Sequence, residues 1–314
     1  MEQQQYLWGH SRRYNDFSGY FRKLFNERVQ KVSIDAGFTC PNRDGTRGRG
    51  GCTYCNNKTF KPTYCELETP VILQVEKGIR FFEKKYKSMK FLAYFQAYTS
   101  TWAPLEDLAT LYEEALKHPK IIGLVISTRP DAVTEELLDY LARLSEKVYV
   151  MVEFGLESHL DRSLEKLNRG HTFAESVWAL EQTARRKINN CAHMILGLPG
   201  ESRYDWLEQA KVISELPVKN IKLHQLQIHK GTVMEKQFKK NPELFPLFSA
   251  EEYTELVVDY LELLNPAIII ERFISEAPPD LLIAPKWGLK NFEFVAKVEK
   301  RLKERSTWQG RLNS

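Results

Sequence analysis

The sequence predicts an α/β fold of six βα units, arranged as a barrel, full or partial, or as a doubly wound sheet. Three observations predict it. Short β-rich runs alternate with longer helical patterns along the chain. The runs are mostly apolar rather than alternating, as parallel strands covered by helices require. With 314 residues, 43% of them hydrophobic and 27% charged, the chain can build one large core with trimmings, or two small ones, and disorder is not its default.

The first strand is KVSID (31–35), followed after a long loop by the helical pattern 70–86. FLAYFQ (91–96) leads to a helix at 104–118, GLVIS (123–127) to one at 134–145, and VYVMVEF (148–154) to one at 173–187. CAHMILG (191–197) leads to a helix at 204–216, and IKLHQLQI (221–228) closes the series before a helical pattern at 250–264. Thr172 with Glu175, Ser202 with Asp205 and Ser249 with Glu252 have the spacing of capping boxes, which fixes three helix starts. Right-handed crossovers between parallel strands gather the ligand site at the strands' carboxyl ends. The residues that follow each strand, such as Tyr98-Thr99, Thr128-Arg129 and Gly155-Leu156-Glu157, are therefore the informative ones.

Charge is uneven. Residues 1–64 hold 11 Lys/Arg against 5 Asp/Glu, residues 286–314 hold 8 against 3, and the middle is acidic. Basic ends suit a polyanion such as RNA, or else KVEKRLKER is the solvated face of a last helix. No run approaches the ~18 apolar residues of a membrane helix, and the first residues lack a signal-peptide core, so a cytoplasmic protein with no membrane partner is expected. Five cysteines, three of them crowded between 40 and 55, point to metal or redox chemistry before disulfides.

Cys40, Cys52 and Cys55 have the spacing C-x11-C-x2-C. The C-x2-C pair puts two thiolates on one turn, and Cys40 adds a third across a loop rich in Gly and Arg. Glycines 45, 48, 50 and 51 let backbone amides approach, and Arg43, Arg47 and Arg49 offset thiolate charge. Two metal readings stand. Zinc needs a fourth ligand, which Cys65 would supply; an iron–sulfur cluster held by three thiolates keeps one iron open. A position directly after the first strand of a βα series, at the mouth where substrates bind, favours the open site.

The segment AGFTCPNRDG…GCTYCNN resembles the cluster loop of the radical S-adenosylmethionine (SAM) superfamily. It is most similar to the YhcC/YtqA-type bacterial group and, more distantly, to the catalytic subunit of Elongator, which modifies wobble uridines in tRNA. The common family spacing is C-x3-C-x2-C; the wider first gap here is shared with Elongator-like members. ISTRPD (126–131), EFGLES (153–158), MILGLPGE (194–201) and LHQLQIHKGTVM (223–234) resemble the family's third to sixth strand ends, so the likeness spans about residues 30–235.

The resemblance implies a partial (βα)6 TIM-like barrel with an N-terminal extension (1–30), a core (31–235) and a C-terminal helical extension (236–314) that closes the barrel. It implies a [4Fe-4S] cluster on Cys40, Cys52 and Cys55, with SAM on the open iron. SAM contacts are then expected from Gln96, Thr99, Ser127, Arg129, Glu157, Arg169, Leu196 and Gly197. Gln96 or the carbonyls of 96–99 would take the methionine amino group. Ser127 stands where relatives often carry an acid. Arg169 follows Glu157 by twelve residues, as a SAM-binding pair does in the coproporphyrinogen-oxidase branch. Cys65 is a structural thiol or a hydrogen donor to a product radical. His193 and His224, within strands, are expected in the core, Cys191 buried and inert, and Tyr54, Tyr64, Tyr94 and Tyr98 packed, or stacked on a base. The implied activity is reductive cleavage of SAM and hydrogen abstraction from a substrate, tRNA first, with flavodoxin or ferredoxin as electron donor. The alternatives are a small metabolite or peptide as substrate, or a zinc-stabilised RNA-binding module.

Overall fold

The computed structural model describes residues 6–60, 62, 64–66, 68–84 and 89–313, without the side chain of Phe60. The last two positions of the helix expected at 70–86, and the first five of the N-terminal extension, lie outside them. The chain runs through α1 (Phe17–Phe25), β1 (Val29–Ile34), α2 (Val71–Glu83), β2 (Lys90–Phe95), α3 (Leu105–Leu116), β3 (Ile121–Thr128), α4 (Glu135–Ser145) and β4 (Tyr149–Glu157). It continues through α5 (Asp161–Lys166), α6 (Phe173–Arg185), β5 (Asn189–Leu196), α7 (Arg203–Ser214), β6 (Asn220–Gln225), β7 (Ile228–His229) and α8 (Val233–Lys240). Last come α9 (Ala250–Leu263), β8 (Ile269–Arg272), β9 (Leu282–Ala284) and α10 (Asn291–Glu304).

Seven strands form one sheet in the order β1-β2-β3-β4-β5-β6-β8, every pair parallel. Because chain order and sheet order agree, all crossover helices fall on one face and the sheet curls around the other. The curl brings its two edges together. Lys31 on β1 reaches Glu271 on β8 at 2.6 Å, so the sheet is the partial barrel expected, its two edge strands bridged by side chains and not by a strand ladder. Six of the strands are those the sequence predicts. The seventh, β8, lies in the run AIIIERF, which is too short to declare itself without its neighbours.

Side chains alternate across this curl with period two. Val32, Ala93, Leu124, Val150, Val152, Ala192, Met194 and Ile221 point outward into a core completed by Val75 and Ile79 of α2, Tyr112 of α3, Leu138 and Leu141 of α4, and Leu180 of α6. Trp206 of α7 and Tyr253, Leu256 and Leu261 of α9 extend it. All three capping boxes form, at α6, α7 and α9. Inward, the lower layer of Leu92, Val125, Met151 and Cys191 is stoppered by Phe21 of α1. Cys191 is thus a packed thiol, as expected.

The basic C-terminal helix is largely neutralised within the fold. Lys297, Arg301 and Arg305 pair with Glu251, Glu255 and Asp259 of α9 at 2.6–2.8 Å. Asn15 N donates to Gln309 Oε1 and Gln309 N to Arg13 O, each at 2.9 Å, which ties the segments near the two chain ends together. No helix of the described residues is long and apolar enough to cross a membrane.

Candidate active site

Above the α1 stopper, the inward positions turn polar. Lys31, Tyr94, Glu153, His193, Lys222 and Glu271 come one each from β1, β2, β4, β5, β6 and β8. Glu153 is the hub, with its side chain fully buried. Its Oε1 accepts from Lys31 Nζ at 2.5 Å, and its Oε2 from Lys222 Nζ at 2.6 Å, Tyr94 Oη at 2.7 Å and His193 Nε2 at 3.0 Å. Burial alone would raise the Glu153 pKa, but Lys222 and Lys31 outweigh it and hold this carboxyl well below the usual range. Glu271 Oε1 accepts from Lys31 and, at 3.0 Å, from Lys222. Burial works against the charge of Lys222, yet Glu153 and Glu271 raise its pKa. Glu153, Cys191 and His193 bring ligand atoms within 4.8 Å of one another, but two lysines and a tyrosine already occupy the carboxylate. Glu153 and His193 belong to the ion-pair layer, and Cys191 packs beneath it.

This layer is the floor of a cavity that opens at the carboxyl ends of the strands. Cys40, Cys52 and Cys55 line it together with Gln96, Thr99, Ser127, Arg129, Glu157 and Arg169. None of the five cysteines is in a disulfide among the described residues. The cysteine loop is clamped from both sides: Thr53 N donates to Leu167 O and Met234 N to Thr53 O, each at 2.9 Å, while Asn168 Nδ2 reaches Gly51 O. Within the loop, Arg43 N donates to Cys40 O and Cys55 N to Cys52 O, closing the two turns that carry the thiols.

Arg169 is the chief electrostatic neighbour of the thiols. Its Nη1 donates to Cys52 Sγ at 3.3 Å and its Nη2 to Gly155 O at 2.5 Å, 3.5 Å from Glu157 Oε1. Asn42 Nδ2 adds a longer contact to Cys52 Sγ at 3.6 Å. Burial pushes the Cys55 thiol up, and Cys52 adds to this, against a hydrogen bond from Arg43. Glu157 is aimed by backbone strain. It has φ +70°, beside an irregularity in the β4–β5 register between Gly155 and Glu157. Tyr98, after β2, likewise has φ +56°. A Cβ on Gly155 would stand 2.6 Å from both Arg169 Nη2 and Glu157 Oε1, so only glycine leaves the arginine its path to Cys52.

The donor set fits an iron–sulfur cluster held by three ligands. Three thiols line one cavity, a guanidinium and an amide point at the Cys52 sulfur, and the Arg169 Nε and Arg129 Nη1 atoms are buried without a partner among the described residues. The fourth zinc ligand that the sequence offered is not among the lining residues. Cys65 does not line this cavity, and its thiol donates to Ser33 O at 3.0 Å.

Of the residues expected at SAM, six line the cavity and two do not. Leu196 is fully buried in the outer core, and Gly197 sits against Phe248. The reason is the strand's alternation: Ile195 faces inward, with Leu226 beside it. Ser127, without a carboxylate of its own, lies in register with Glu153, and its Oγ is 3.4 Å from that carboxylate. His193 and His224 depart from the core placement expected of them. Their rings stack at 5.5 Å and both line the cavity. Tyr54, Tyr94 and Tyr98 line it as well, whereas Tyr64 does not, and its hydroxyl accepts from Ser33 N. Arg272, at the end of β8, completes the wall and had no signal in sequence apart from its place after an apolar run.

Residues 42–213 match the family model described as the radical SAM superfamily, and 218–304 match the radical SAM C-terminal domain. The chain is 37% identical to the uncharacterized protein YtqA of Bacillus subtilis over 96% of its own length and 92% of that protein's. It is 33% identical to protein YhcC of Escherichia coli K12, over 92% of each. Its backbone superposes on the archaeal Elp3 of Methanocaldococcus infernus with a TM-score of 0.68 at 18% identity. That match covers 90% of this chain and 64% of the other, just under two thirds, and is a likeness of fold.

Proposed function

The chain belongs to the radical SAM superfamily, and from that premise we propose that it is an enzyme that abstracts hydrogen from a tRNA, at or near a wobble uridine side chain. The observation that carries the chemistry is the convergence of Cys40, Cys52 and Cys55 on one cavity at the carboxyl ends of the barrel strands. When bound there, a [4Fe-4S] cluster with SAM on its open iron supplies one-electron cleavage of the sulfonium and a 5′-deoxyadenosyl radical.

The chain's own residues bind, orient and exclude. The three thiolates hold the cluster, and Arg169, donating to Cys52 Sγ, offsets its negative charge. Arg169 would meet the carboxylate of SAM, Glu157, the Gln96 amide and the carbonyls of 96–99 would meet its ammonium group, and Thr99, Ser127 and Arg129 would add polar contacts. Ile195 and Leu226 give the adenine an apolar wall in place of Leu196 and Gly197. The α1 stopper and the ion-pair layer shut the cavity from below, so water and oxygen have only the mouth through which to enter.

The tRNA reading rests on the mouth. Arg43, Arg49 and Lys58 on the cysteine loop and Lys230 after β7 are exposed, and none forms an ion pair with a carboxylate among the described residues. That collar, rather than the ion-paired C-terminal helix, is the surface for a phosphate backbone. Nucleoside profiling of tRNA from cells with and without the protein tests the substrate: a nucleoside lost or accumulated in the deletion supports it, and an unchanged profile with no tRNA binding at low salt refutes it. A one-electron donor such as flavodoxin or ferredoxin is then the remaining partner.

A further inference from the structure

The charges at the cavity floor do not balance. Three cations, Lys31, Lys222 and Arg272, share this end of the cavity with Glu153 and Glu271; the two lysines take Glu153 and the Oε1 of Glu271, whose Oε2 is buried without a partner among the described residues. Arg272 is left over. Among the described residues its guanidinium has no carboxylate partner, its Nε is buried without a hydrogen bond, and it lines the cavity. Its one partner is neutral: Nη2 donates to His224 Nε2 at 2.9 Å.

We propose that Arg272, oriented by His224, binds an anionic group of the substrate, a carboxylate or a phosphate, at the floor of this cavity. A guanidinium in a low-dielectric wall is costly without a counter-charge, and its planar fork matches two oxygens of a carboxylate or phosphate. His224 serves the same end. Because Nε2 accepts from Arg272, the ring is neutral and carries its proton on Nδ1, a second donor with no partner among the described residues. Burial, then Arg272 and His193, hold the His224 pKa well below its ordinary value, in agreement. His193 is tied to Glu153 through Nε2 and stacks on His224, which fixes the ring that fixes the arginine. Gln225 locks to the Ser275 backbone from both ends of its amide, so the β6 and β8 termini that carry His224 and Arg272 move as one unit.

The assignment rests on this cavity being the substrate site of the enzyme proposed above, but its test reads anion binding and not turnover, so the two can fail separately. Thermal unfolding of the anaerobically prepared full chain is followed against malonate and against inorganic phosphate, at constant ionic strength. SAM binding is measured in parallel. The expected result is a saturable stabilisation of the wild type by one of the two anions, which identifies carboxylate or phosphate. R272Q weakens that anion by at least ~10-fold, the scale of a lost charged hydrogen-bonded fork, and leaves SAM affinity unchanged. Without anion, R272Q melts no lower than wild type, because an uncompensated charge has been removed. Should R272Q not fold, R272K carries the test: it keeps the charge, loses the fork, and must bind the anion more weakly. Stabilisation equal in wild type and in the variant that folds, or a parallel loss of SAM affinity, overturns the proposal. The last outcome would hand Arg272 to the cofactor.

Discussion

The cysteine loop and the cavity floor face each other across one cavity, and they are built in opposite ways. The loop is local. Its three thiols lie within sixteen residues, its turns close on their own backbone, and glycines and arginines are interleaved with them. The floor is collective. Six strands give one residue each, and Glu153 has meaning only when Lys31 and Lys222, 122 and 69 positions away, arrive beside it. The difference teaches where each function resides. A reactive group that must be assembled once per chain is encoded as a motif, while the shape and charge that admit a substrate are spread over the sheet.

Replacing Cys40, Cys52 or Cys55 by Ala breaks the comparison at its local end. Each change alone is expected to abolish iron retention and SAM cleavage, with formation of 5′-deoxyadenosine falling to background, while urea unfolding of the metal-free chain changes little. Glu153→Gln breaks it at the collective end. With one carboxylate gone, two buried ammonium groups share Glu271 alone, and the loss is expected to be ~3–5 kcal/mol of unfolding free energy. Iron bound per folded chain should stay as in the wild type, which separates the two regions.

Gly155→Ala tests the seam between them. The new methyl would meet Arg169 and Glu157 at 2.6 Å and push the guanidinium off Cys52. A cost of ~1–3 kcal/mol from overpacking and weaker SAM binding, measured by titration of the reconstituted protein, are expected together. The smallest effect is on pH dependence. Burial first, then Arg169, Arg129 and Arg47, push the His171 pKa down to about 2, and neither ring nitrogen has a partner among the described residues. The unfolded chain takes up this proton near pH 6.5 and the folded chain does not. Stability is therefore lost as pH falls below that value, by at most ~1.4 kcal/mol per pH unit from this ring. His171→Asn should flatten the slope of unfolding free energy between pH 6.5 and 5.5 by up to that amount.

The same contrast explains what could be read in advance. The apolar rhythm of the strands and the capping boxes at Thr172, Ser202 and Ser249 predict the fold class because they report the outer face, where period and propensity agree. The C-x11-C-x2-C loop is legible because its chemistry is adjacent in sequence. Leu196 and Gly197 were expected at the cofactor from the motif around them, but a strand shows its cavity only every second residue, and Ile195 holds the inward position. His193, His224 and Arg272 gave no such signal, since a histidine in a strand has the same sequence environment whether its ring packs in a core or faces a cavity. For the basic C-terminal segment the sequence leaves open an RNA surface or the solvated face of a last helix, and its counter-charges come from α9, some forty residues earlier in the chain.

The central claim is that three sulfur ligands in this cavity support cleavage of SAM. It is tested most directly by reconstituting the full chain anaerobically with iron and sulfide, reducing it, and measuring 5′-deoxyadenosine released from SAM. The account predicts a brown protein with about four irons per chain that releases this nucleoside, and releases none when any of Cys40, Cys52 or Cys55 is replaced. A reduced protein that holds its iron and leaves SAM intact, or that cleaves SAM without those cysteines, would contradict it.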